Sequence, residues 1–302
     1  MVQRRKSRKI KVGKQFIGGN APITIQSMTT TDTTDVDATL KQIHELEDVG
    51  CDIIRVSAPT MEAANALKEI KANISIPLVA DIHFDYKIAL EAAKYADKLR
   101  INPGNIGNEE KIKLVVNAAK DNSIPIRVGV NLGSLEKDLF ERYGYSAEAM
   151  VESALRHVKI LEKLDFYDTI VSLKASDVPR MVQAYRLFAE KTDYPLHLGV
   201  TEAGSKFPGT IKNSIGMGIL LSEGIGDTIR VSLSDDPKEE VKAGQKILRA
   251  LGLRKDSIEI TSCPTCARSQ IDVIKISEEI ENKTEKIKKP IHVAIMGCAV
   301  NG

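Results

Sequence analysis

Short apolar runs alternate with amphipathic segments along most of the chain. The apolar runs have the length of buried strands and lie at Pro22–Ser27, Asp52–Ser57, Leu78–Ile82, Lys98–Asn102, Ile126–Asn131, Thr169–Leu173, Leu196–Thr201 and Thr228–Ser232. Between them, apolar residues recur every three or four positions, the period of a helix, in Asp37–Asp48, Met61–Ala72, Ala147–Leu164, Val178–Glu190 and Lys238–Leu251. Ser146 and Asp236 stand where helix N-caps are expected.

Eight strand and helix units in sequence predict an α/β fold, a closed (β/α)8 TIM-like barrel. An open doubly wound sheet is the alternative. That fold usually carries a glycine-rich phosphate turn after its first strand. Here the first strand is followed by Ser-Met-Thr-Thr-Thr-Asp-Thr. The pattern therefore favours the barrel.

The pattern changes after Leu253. Two β-like stretches, Ser257–Thr261 and Ile291–Met296, flank a helix-like stretch at Ser269–Glu281. We therefore predict two domains, a substrate-binding barrel over 1–253 and a small α+β domain over 254–302. A unit of that size is seldom stable without a metal or a partner surface.

Composition excludes several partners. The 302 residues hold 43 Lys and Arg against 41 Asp and Glu, a balance that favours neither nucleic acid nor a membrane surface. No apolar run approaches the ~20 residues of a membrane span. The basic N-terminus is interpreted as a solvated entry segment. The four cysteines suit a reducing cytosol better than a disulfide framework, so a cytoplasmic protein is expected.

Charged and polar residues collect at the predicted carboxyl ends of the strands, the face on which barrels build their active sites. They are Arg55, Asp81, His83, Arg100, Asn102, Arg127, Asn131, Ser172, Lys174, Glu202, Arg230 and Ser232. Structural pairing with Asp81 and Glu202 could account for single arginines. Four arginines and a lysine exceed these acids, and an unpaired buried guanidinium is costly. The set therefore indicates a phosphorylated or diphosphorylated ligand, which the planar guanidinium suits.

Three cysteines near the end of the chain form a Cys-x2-Cys-x31-Cys pattern: Cys263, Cys266 and Cys298. A structural zinc site needs four closed ligands, whereas three thiolates can hold an iron–sulfur cluster with one iron open. His292 could complete a zinc site. If 291–296 is extended, however, His292 lies about 20 Å from Cys298, too far to share an ion. Cys51 is interpreted as a buried structural thiol.

In these residues the chain resembles the 4-hydroxy-3-methylbut-2-enyl diphosphate synthases of the non-mevalonate isoprenoid pathway. The resemblance runs from end to end. It is strongest in Ala-Asp-Ile-His-Phe-Asp-Tyr at 80–86, Leu-Arg-Ile-Asn-Pro-Gly-Asn-Ile-Gly at 99–107 and Ser-Cys-Pro-Thr-Cys at 262–266. Further matching stretches lie at 17–29, 127–136, 198–204 and 293–302.

The resemblance implies a barrel followed by a [4Fe–4S] domain, in a homodimer whose cluster domain closes over the partner's barrel mouth. The reaction implied is reductive ring opening and dehydration of 2-C-methyl-D-erythritol 2,4-cyclodiphosphate to 4-hydroxy-3-methylbut-2-enyl diphosphate. Reduced flavodoxin or ferredoxin would supply the electrons. In a plastid-bearing organism the location would be the plastid stroma.

The resemblance also implies roles for single residues. Arg55, Arg100, Arg127, Lys174 and Arg230 would hold the diphosphate, helped by Asn131 and Ser232. Asp81, His83 and Asn102 would complete the polar floor, and Glu202 would be the acid near the leaving hydroxyl. Cys263, Cys266 and Cys298 would hold the cluster. The family continues past Asn-Gly with Pro-Gly-Glu, whose glutamate is the fourth cluster ligand, whereas this sequence stops at Gly302. Either the sequence is a truncated form or the last iron takes water or substrate, and a labile cluster with poor or absent activity is expected.

Two other classes of function are weighed against this one. The first is a barrel transferase or aldolase, of the pterin-binding kind, that acts on a phosphorylated substrate and carries a structural zinc module. The second is a binding module without catalysis, which leaves the charged strand ends without a purpose. The metal at the cysteines separates the first of these from the reductive enzyme.

Overall fold

A computed structural model describes residues 2–284, 287 and 289–300. Its strands are β1 (Ile10–Val12), β2 (Gln15–Ile17), β3 (Thr24–Met28), β4 (Ile53–Ser57), β5 (Leu78–Asp81), β6 (Lys98–Ile101), β7 (Ile126–Asn131), β8 (Thr169–Lys174), β9 (His197–Leu198), β10 (Thr228–Ile229), β11 (Glu259–Ser262) and β12 (His292–Ile295). Its helices are α1 (Val36–Asp48), α2 (Met61–Ala72), α3 (Tyr86–Ala92), α4 (Pro103–Ile106), α5 (Glu109–Asp121), α6 (Lys137–Tyr143), α7 (Ala147–Glu162), α8 (Val178–Lys191), α9 (Lys206–Ser222), α10 (Pro237–Ala250) and α11 (Val273–Thr284), with a 3-10 turn at Leu132–Ser134.

Strands β3 to β10 form one parallel sheet that closes on itself. Each strand pairs with the next from β3 to β8, and β10 lies between β3 and β9. A parallel bridge between Val171 and Leu196 joins β8 to the start of β9 and completes the circle. The predicted (β/α)8 barrel is confirmed, and the open sheet is wrong.

The outer helices form where the sequence offers a cap and an apolar stripe. Asp35 begins α1 by accepting a hydrogen bond from the Ala38 amide at 3.0 Å. Ser146 begins α7 in the same way, accepting from Ala149 at 3.1 Å, as predicted. In α2 the buried residues are Ala63, Ala64, Leu67 and Ile70, the face that packs on the sheet.

Each predicted strand overlaps an observed one, but the last two are short. β9 and β10 keep two residues each, and the following residues, including Thr201 and Ser232, leave the hydrogen-bonded ladder for the mouth of the barrel. Helices α3, α5 and α9 complete the alternation at positions that the periodicity did not single out.

A small antiparallel hairpin, β1 and β2, packs against the amino-terminal end of the barrel. Ile10, Val12 and Ile17 form one buried apolar cluster with interior residues of three barrel strands, Ile53, Val79 and Ile170. The hairpin turn needs Gly13, whose φ is +56° and whose Cβ position would lie 2.9 Å from Asp97 Oδ1. The end opposite the predicted active site is therefore plugged.

The basic N-terminal segment is bound to the barrel, which corrects the expectation of a solvated arm. Arg4 pairs with the buried carboxylate of Asp227 at 2.9 Å. The Arg5 guanidinium donates to the carbonyl oxygens of Thr192 and Tyr194. These basic side chains therefore bond carboxylate and carbonyl groups beside β9 and β10.

The chain separates into two compact units, Met1–Ile247 and Leu248–Gly302. The second unit pairs β11 with β12 in parallel, and α11 connects them. The domain boundary predicted after residue 253 lies six residues beyond this division and stays a prediction. No helix among the described residues is both long and apolar enough to cross a membrane.

Candidate active site

The centre of the barrel mouth is an ion cluster around Asp81, at the end of β5. Its carboxylate lies 3.1 Å from Arg100 Nη1 and 3.7 Å from Arg55 Nε. All three side chains are at most 14% exposed. Burial alone would raise the pKa of Asp81, but the neighbouring Arg55, Arg100 and Arg127 lower it below its usual value. The structure thus brings three predicted residues into direct contact.

Arg127 and Lys174 add charge to this cluster without a matching acid. Arg127 is 1% exposed, and its Nε and Nη1 atoms have no hydrogen-bond partner among the described residues. Lys174 is 8% exposed, and its Nζ faces Gly199, where a Cβ would lie only 2.8 Å away. Burial, together with the nearby cations, lowers the pKa of both side chains well below the ordinary value. The same effects lower the pKa of Arg55 to about 10.

Arg230 is held by Glu240, a residue that the sequence analysis missed. The Glu240 carboxylate, 4% exposed, accepts from Arg230 Nε and Nη2, both at 3.3 Å, and from the Leu233 amide at 3.1 Å. Glu240 lies in the first turn of α10, directly after the predicted cap motif. No sequence pattern places this helix residue at the mouth.

Met28 is a second missed residue, at the end of β3. Its thioether sulfur accepts from Arg55 Nε at 3.1 Å and lies 3.8 Å from Arg230 Nη1. A thioether is a weak acceptor and carries no charge. Met28 therefore contacts both guanidinium groups without neutralising them.

The remaining polar residues lie around this cluster. His83 follows β5, half-exposed, with Nε2 4.0 Å from Asp81 Oδ2. Asn102 is buried and caps α4 by accepting from the Gly104 amide at 3.1 Å. Asn131 ends β7, paired with Lys174 in the register of the sheet. Ser172 is buried on β8, and Ser232 accepts through its carbonyl oxygen from Asn213 Nδ2 at 3.2 Å.

Glu202 stands apart from the ion cluster. It follows β9 with a φ of +51°, in the left-handed region, and its side chain is exposed. Among the described residues its carboxylate makes no hydrogen bond or ion pair, so the expected pairing of arginines with Glu202 is replaced by pairing with Glu240. Strain of this kind at a mouth loop is a common feature of functional residues.

The three motif cysteines line one cavity in the second unit. It measures about 100 Å³ and is lined by Cys263, Pro264, Cys266, Arg268, Ser269, Gly297 and Cys298. The Gly297 amide donates to Cys263 Sγ at 3.1 Å. No three His, Cys, Asp or Glu side chains in the described residues are grouped to hold a metal ion. Three thiols that line one cavity are the donor type that iron–sulfur clusters use.

The other candidate metal ligands are accounted for. His292 begins the extended strand β12, and its Nε2 lies 2.7 Å from Thr261 Oγ1. Cys51 is buried, and burial raises its pKa to about 12, as expected of a structural thiol. Asn301 and Gly302, the last residues of the final motif, lie outside the described residues.

Comparison with known families decides the relationship. The GcpE TIM-barrel domain matches residues 7–245, and the GcpE protein C-terminal domain matches residues 259–302. The chain belongs to the GcpE family. Relatives from Symbiobacterium thermophilum and Bacillus subtilis, each called 4-hydroxy-3-methylbut-2-en-1-yl diphosphate synthase (flavodoxin), are 59% and 57% identical. The matches span 100% of this chain and 82% and 81% of those relatives.

Solved structures with little sequence identity share the barrel of this family. An N-acetylneuraminic acid synthetase from Leptospira borgpetersenii superposes with a TM-score of 0.60 at 14% identity, over 94% of this chain and 100% of that one. A dihydropteroate synthase from Xanthomonas albilineans gives 0.57 at 11% identity, over 82% of this chain and 98% of that one. These likenesses concern the fold alone. The resemblance to diphosphate synthases is confirmed over the transferase and aldolase alternative.

Proposed function

We propose that the chain catalyses reductive ring opening and dehydration of 2-C-methyl-D-erythritol 2,4-cyclodiphosphate to 4-hydroxy-3-methylbut-2-enyl diphosphate. The observation that carries the proposal is the surplus of buried cations at the barrel mouth. Arg55, Arg100, Arg127, Lys174 and Arg230 face two carboxylates, those of Asp81 and Glu240. A diphosphate supplies the missing negative charge, and relatives up to 60% identical carry the name of this synthase.

The roles of the mouth residues follow from their contacts. Arg127 is the strongest diphosphate ligand we propose, because two of its nitrogens have no partner within the protein. Arg55 and Arg100 approach the ligand already oriented by Asp81, and Arg230 by Glu240. Lys174 adds a compact charge, and Asn131 and Ser232 supply further polar groups. His83 and Asn102 complete the floor around Asp81.

Glu202 is the residue we propose to deliver the proton that leaves with water. Its carboxylate is free of competing ion pairs in the described part of the chain, and its backbone conformation presents it on a mouth loop. A carboxyl group can donate this proton when substrate charge lies beside it. Its role is therefore separable from that of the arginines, which hold charge and do not transfer protons.

A [4Fe–4S] cluster is the cofactor we propose for the second unit. Cys263, Cys266 and Cys298 would hold it, since they line a single cavity. The Gly297 amide is placed to donate to a cluster-bound sulfur of Cys263, the type of bond that tunes cluster potentials. Bound there, the cluster supplies electrons one at a time and a Lewis-acidic iron.

Reduced flavodoxin or ferredoxin is the electron donor we propose, and the flavodoxin in the relatives' names supports it. A homodimer with a shared site is also part of the proposal. It predicts that mixing an inactive Cys298→Ala chain with an Arg127→Met chain, weakened in substrate binding, raises the activity at low substrate above that of either chain alone, through mixed dimers. Free thiols favour a reducing compartment such as the cytosol.

The function is tested by incubating anaerobically prepared protein with the cyclic diphosphate and reduced flavodoxin and following the linear product. Wild type, reconstituted with iron and sulfide because its cluster is expected to be labile, should form the product at a low rate. Arg127→Met should raise KM, while Glu202→Gln should lower kcat with little change in KM. Lys113→Met, a change at an exposed helix position, is the control. Failure of the reduced wild-type protein to consume the cyclic diphosphate would contradict the proposal.

A further inference from the structure

A second polar layer lies inside the barrel, beneath the mouth cluster. Lys98 and His197 are 0% exposed, and Gln26 is 1% exposed. Gln26 pairs with Ile53 in the sheet register, and Lys98 pairs with Val79. Ile53 and Val79 belong to the apolar cluster that contacts the N-terminal hairpin. These polar residues therefore begin at the level of the plug, one layer deeper than Arg55 and Asp81.

The side chains of this layer point into the barrel. Lys98 Nζ reaches across it to Gln26 Oε1 at 3.4 Å, from β6 to β3. His197 lies two residues before Gly199, which faces the Lys174 side chain, so both are on the inner face of β9. Arg127 alternates with Gly129, whose Cβ position would lie 3.1 Å from the Arg100 guanidinium. Gln26, Lys98, Arg127 and His197 thus share one enclosed space, which we call the lower layer.

The lower layer is rich in hydrogen-bond donors that find no acceptor. Two donors have no partner among the described residues: Gln26 Nε2 and the His197 ring nitrogen that carries the proton, since neither ring nitrogen has a partner. Arg127 Nε and Nη1, also without a partner, are the donors assigned to the diphosphate. Lys98 has only the long contact to an amide oxygen. A buried donor left without an acceptor is destabilising, so these donors together call for a ligand.

The charges around the lower layer also indicate a bound anion. The charged groups that act on Lys98 are Arg127 and Arg55, both cations. Those that act on His197 are Arg127, Lys174, Lys98 and Arg55, again all cations. Asp81 acts on Arg127, but it already bonds Arg100 in the layer above. An ammonium and a guanidinium in an enclosed space without an acid are costly unless an anion accompanies them.

We propose that the lower layer binds a small monovalent anion, with chloride as the physiological type, between Lys98, Gln26 and His197, beneath Arg127. The ligand must be small because Gln26, Lys98 and His197 are at most 1% exposed. The space above them, beside Gly129 and Gly199, is filled by the side chains of Arg100 and Lys174. The site is distinct from the diphosphate site and holds whether or not the proposed reaction is correct. Its occupant keeps Lys98 and Arg127 charged beneath the mouth.

The competing way to relieve the repulsion is loss of the Lys98 proton. Burial, with Arg127 and Arg55 nearby, lowers the pKa of Lys98 well below its usual value. A neutral Lys98 would need no anion, and the protein would then be indifferent to the halide.

Thermal unfolding of the full chain in sodium chloride and in sodium gluconate, at equal ionic strength, separates these alternatives. Binding near saturation should raise the Tm by about 2–4 °C in chloride, since gluconate is too large for the layer. Lys98→Met should abolish that difference. Lys113→Met, the same change at an exposed helix position, should keep it. If Lys98→Met does not fold, Gln26→Met takes its place.

Equal Tm values for wild type in the two salts would overturn the proposal. So would a chloride effect that Lys98→Met retains in full. Crystals of the wild-type protein grown in sodium bromide give a second readout. We expect an anomalous bromide peak beside Lys98 Nζ that persists when inorganic pyrophosphate occupies the mouth. A peak that pyrophosphate displaces would assign the layer to the diphosphate site instead, and the absence of a peak would exclude the anion.

Discussion

Replacing Asp81 by Asn tests whether the mouth cluster is held together by its one central carboxylate. The substitution keeps the shape of the side chain and removes its charge. Arg100 at 3.1 Å and Arg55 at 3.7 Å then lose their acid while they stay buried. A buried pair broken from one side usually costs more than the pair contributes, because the remaining charge stays in the interior.

The magnitude follows from these distances. With an effective dielectric constant of about 20, Coulomb's law gives about 5 kcal/mol at the Arg100 distance and about 4 kcal/mol at the Arg55 distance. Desolvation of the ions offsets part of this attraction. We expect Asp81→Asn to lower the free energy of unfolding by about 3–5 kcal/mol. Asp138→Asn is the control, because Asp138 pairs with Arg156 at 2.6 Å but the two side chains are 62% and 45% exposed. It should cost at most about 1 kcal/mol.

Urea unfolding followed by circular dichroism measures both values, since the chain has no tryptophan to report by fluorescence. Because the folded-state pKa of Asp81 is lowered, its contribution is complete above the unfolded pKa of about 3.9 and declines as pH falls toward the folded value. The gap between wild type and Asp81→Asn should therefore narrow below about pH 4. An Asp81→Asn protein no less stable than Asp138→Asn at neutral pH would refute the reasoning.

Three further predictions concern the mouth and the N-terminal segment. Glu240→Gln should raise KM for the cyclic diphosphate about tenfold, because Arg230 loses its oriented partner; a lower KM would mean that Glu240 acts by cancelling charge. Inorganic pyrophosphate should inhibit competitively, and Arg127→Met should weaken that inhibition at least tenfold; equal inhibition constants would remove Arg127 from the site. Arg4→Gln should lower the free energy of unfolding by about 1–3 kcal/mol, because it removes the charged partner of the buried Asp227 carboxylate. Lys6→Gln, at an exposed position, should change it by less than about 0.5 kcal/mol, and urea unfolding measures both.

The barrel and most mouth residues could be predicted because their signals are local. Arg55 and Arg100 stand in apolar runs of strand length, and a barrel brings the ends of such runs to one face. Cys263, Cys266 and Cys298 could be grouped from their residue types, and the structure places them around one cavity. Because strand ends meet at one face of a barrel, the positions of these residues along the chain predict that they lie together in space.

The partners of those residues could not be predicted, because they depend on contacts between distant elements. Glu240 lies in the first turn of α10, 10 residues after Arg230, and no periodicity shows that its carboxylate turns toward the mouth. Met28 is uncharged, and nothing in its residue type predicts contact with the Arg55 guanidinium. Lys98 opens a run that was interpreted as apolar, yet its ammonium crosses the barrel to Gln26. The hairpin strands β1 and β2, three residues each, are too short for a pattern to identify.

The central claim is that a cation-lined barrel and a three-cysteine cluster unit serve one reductive reaction, and the metal content tests it most directly. Iron, acid-labile sulfide and zinc should be measured on protein prepared without oxygen, for wild type, Cys266→Ser and Cys51→Ser. We predict about four irons and four sulfides per chain in wild type and Cys51→Ser, and a large loss of both in Cys266→Ser. One zinc per chain without sulfide would contradict the account. It would instead favour a barrel transferase or aldolase with a structural zinc module.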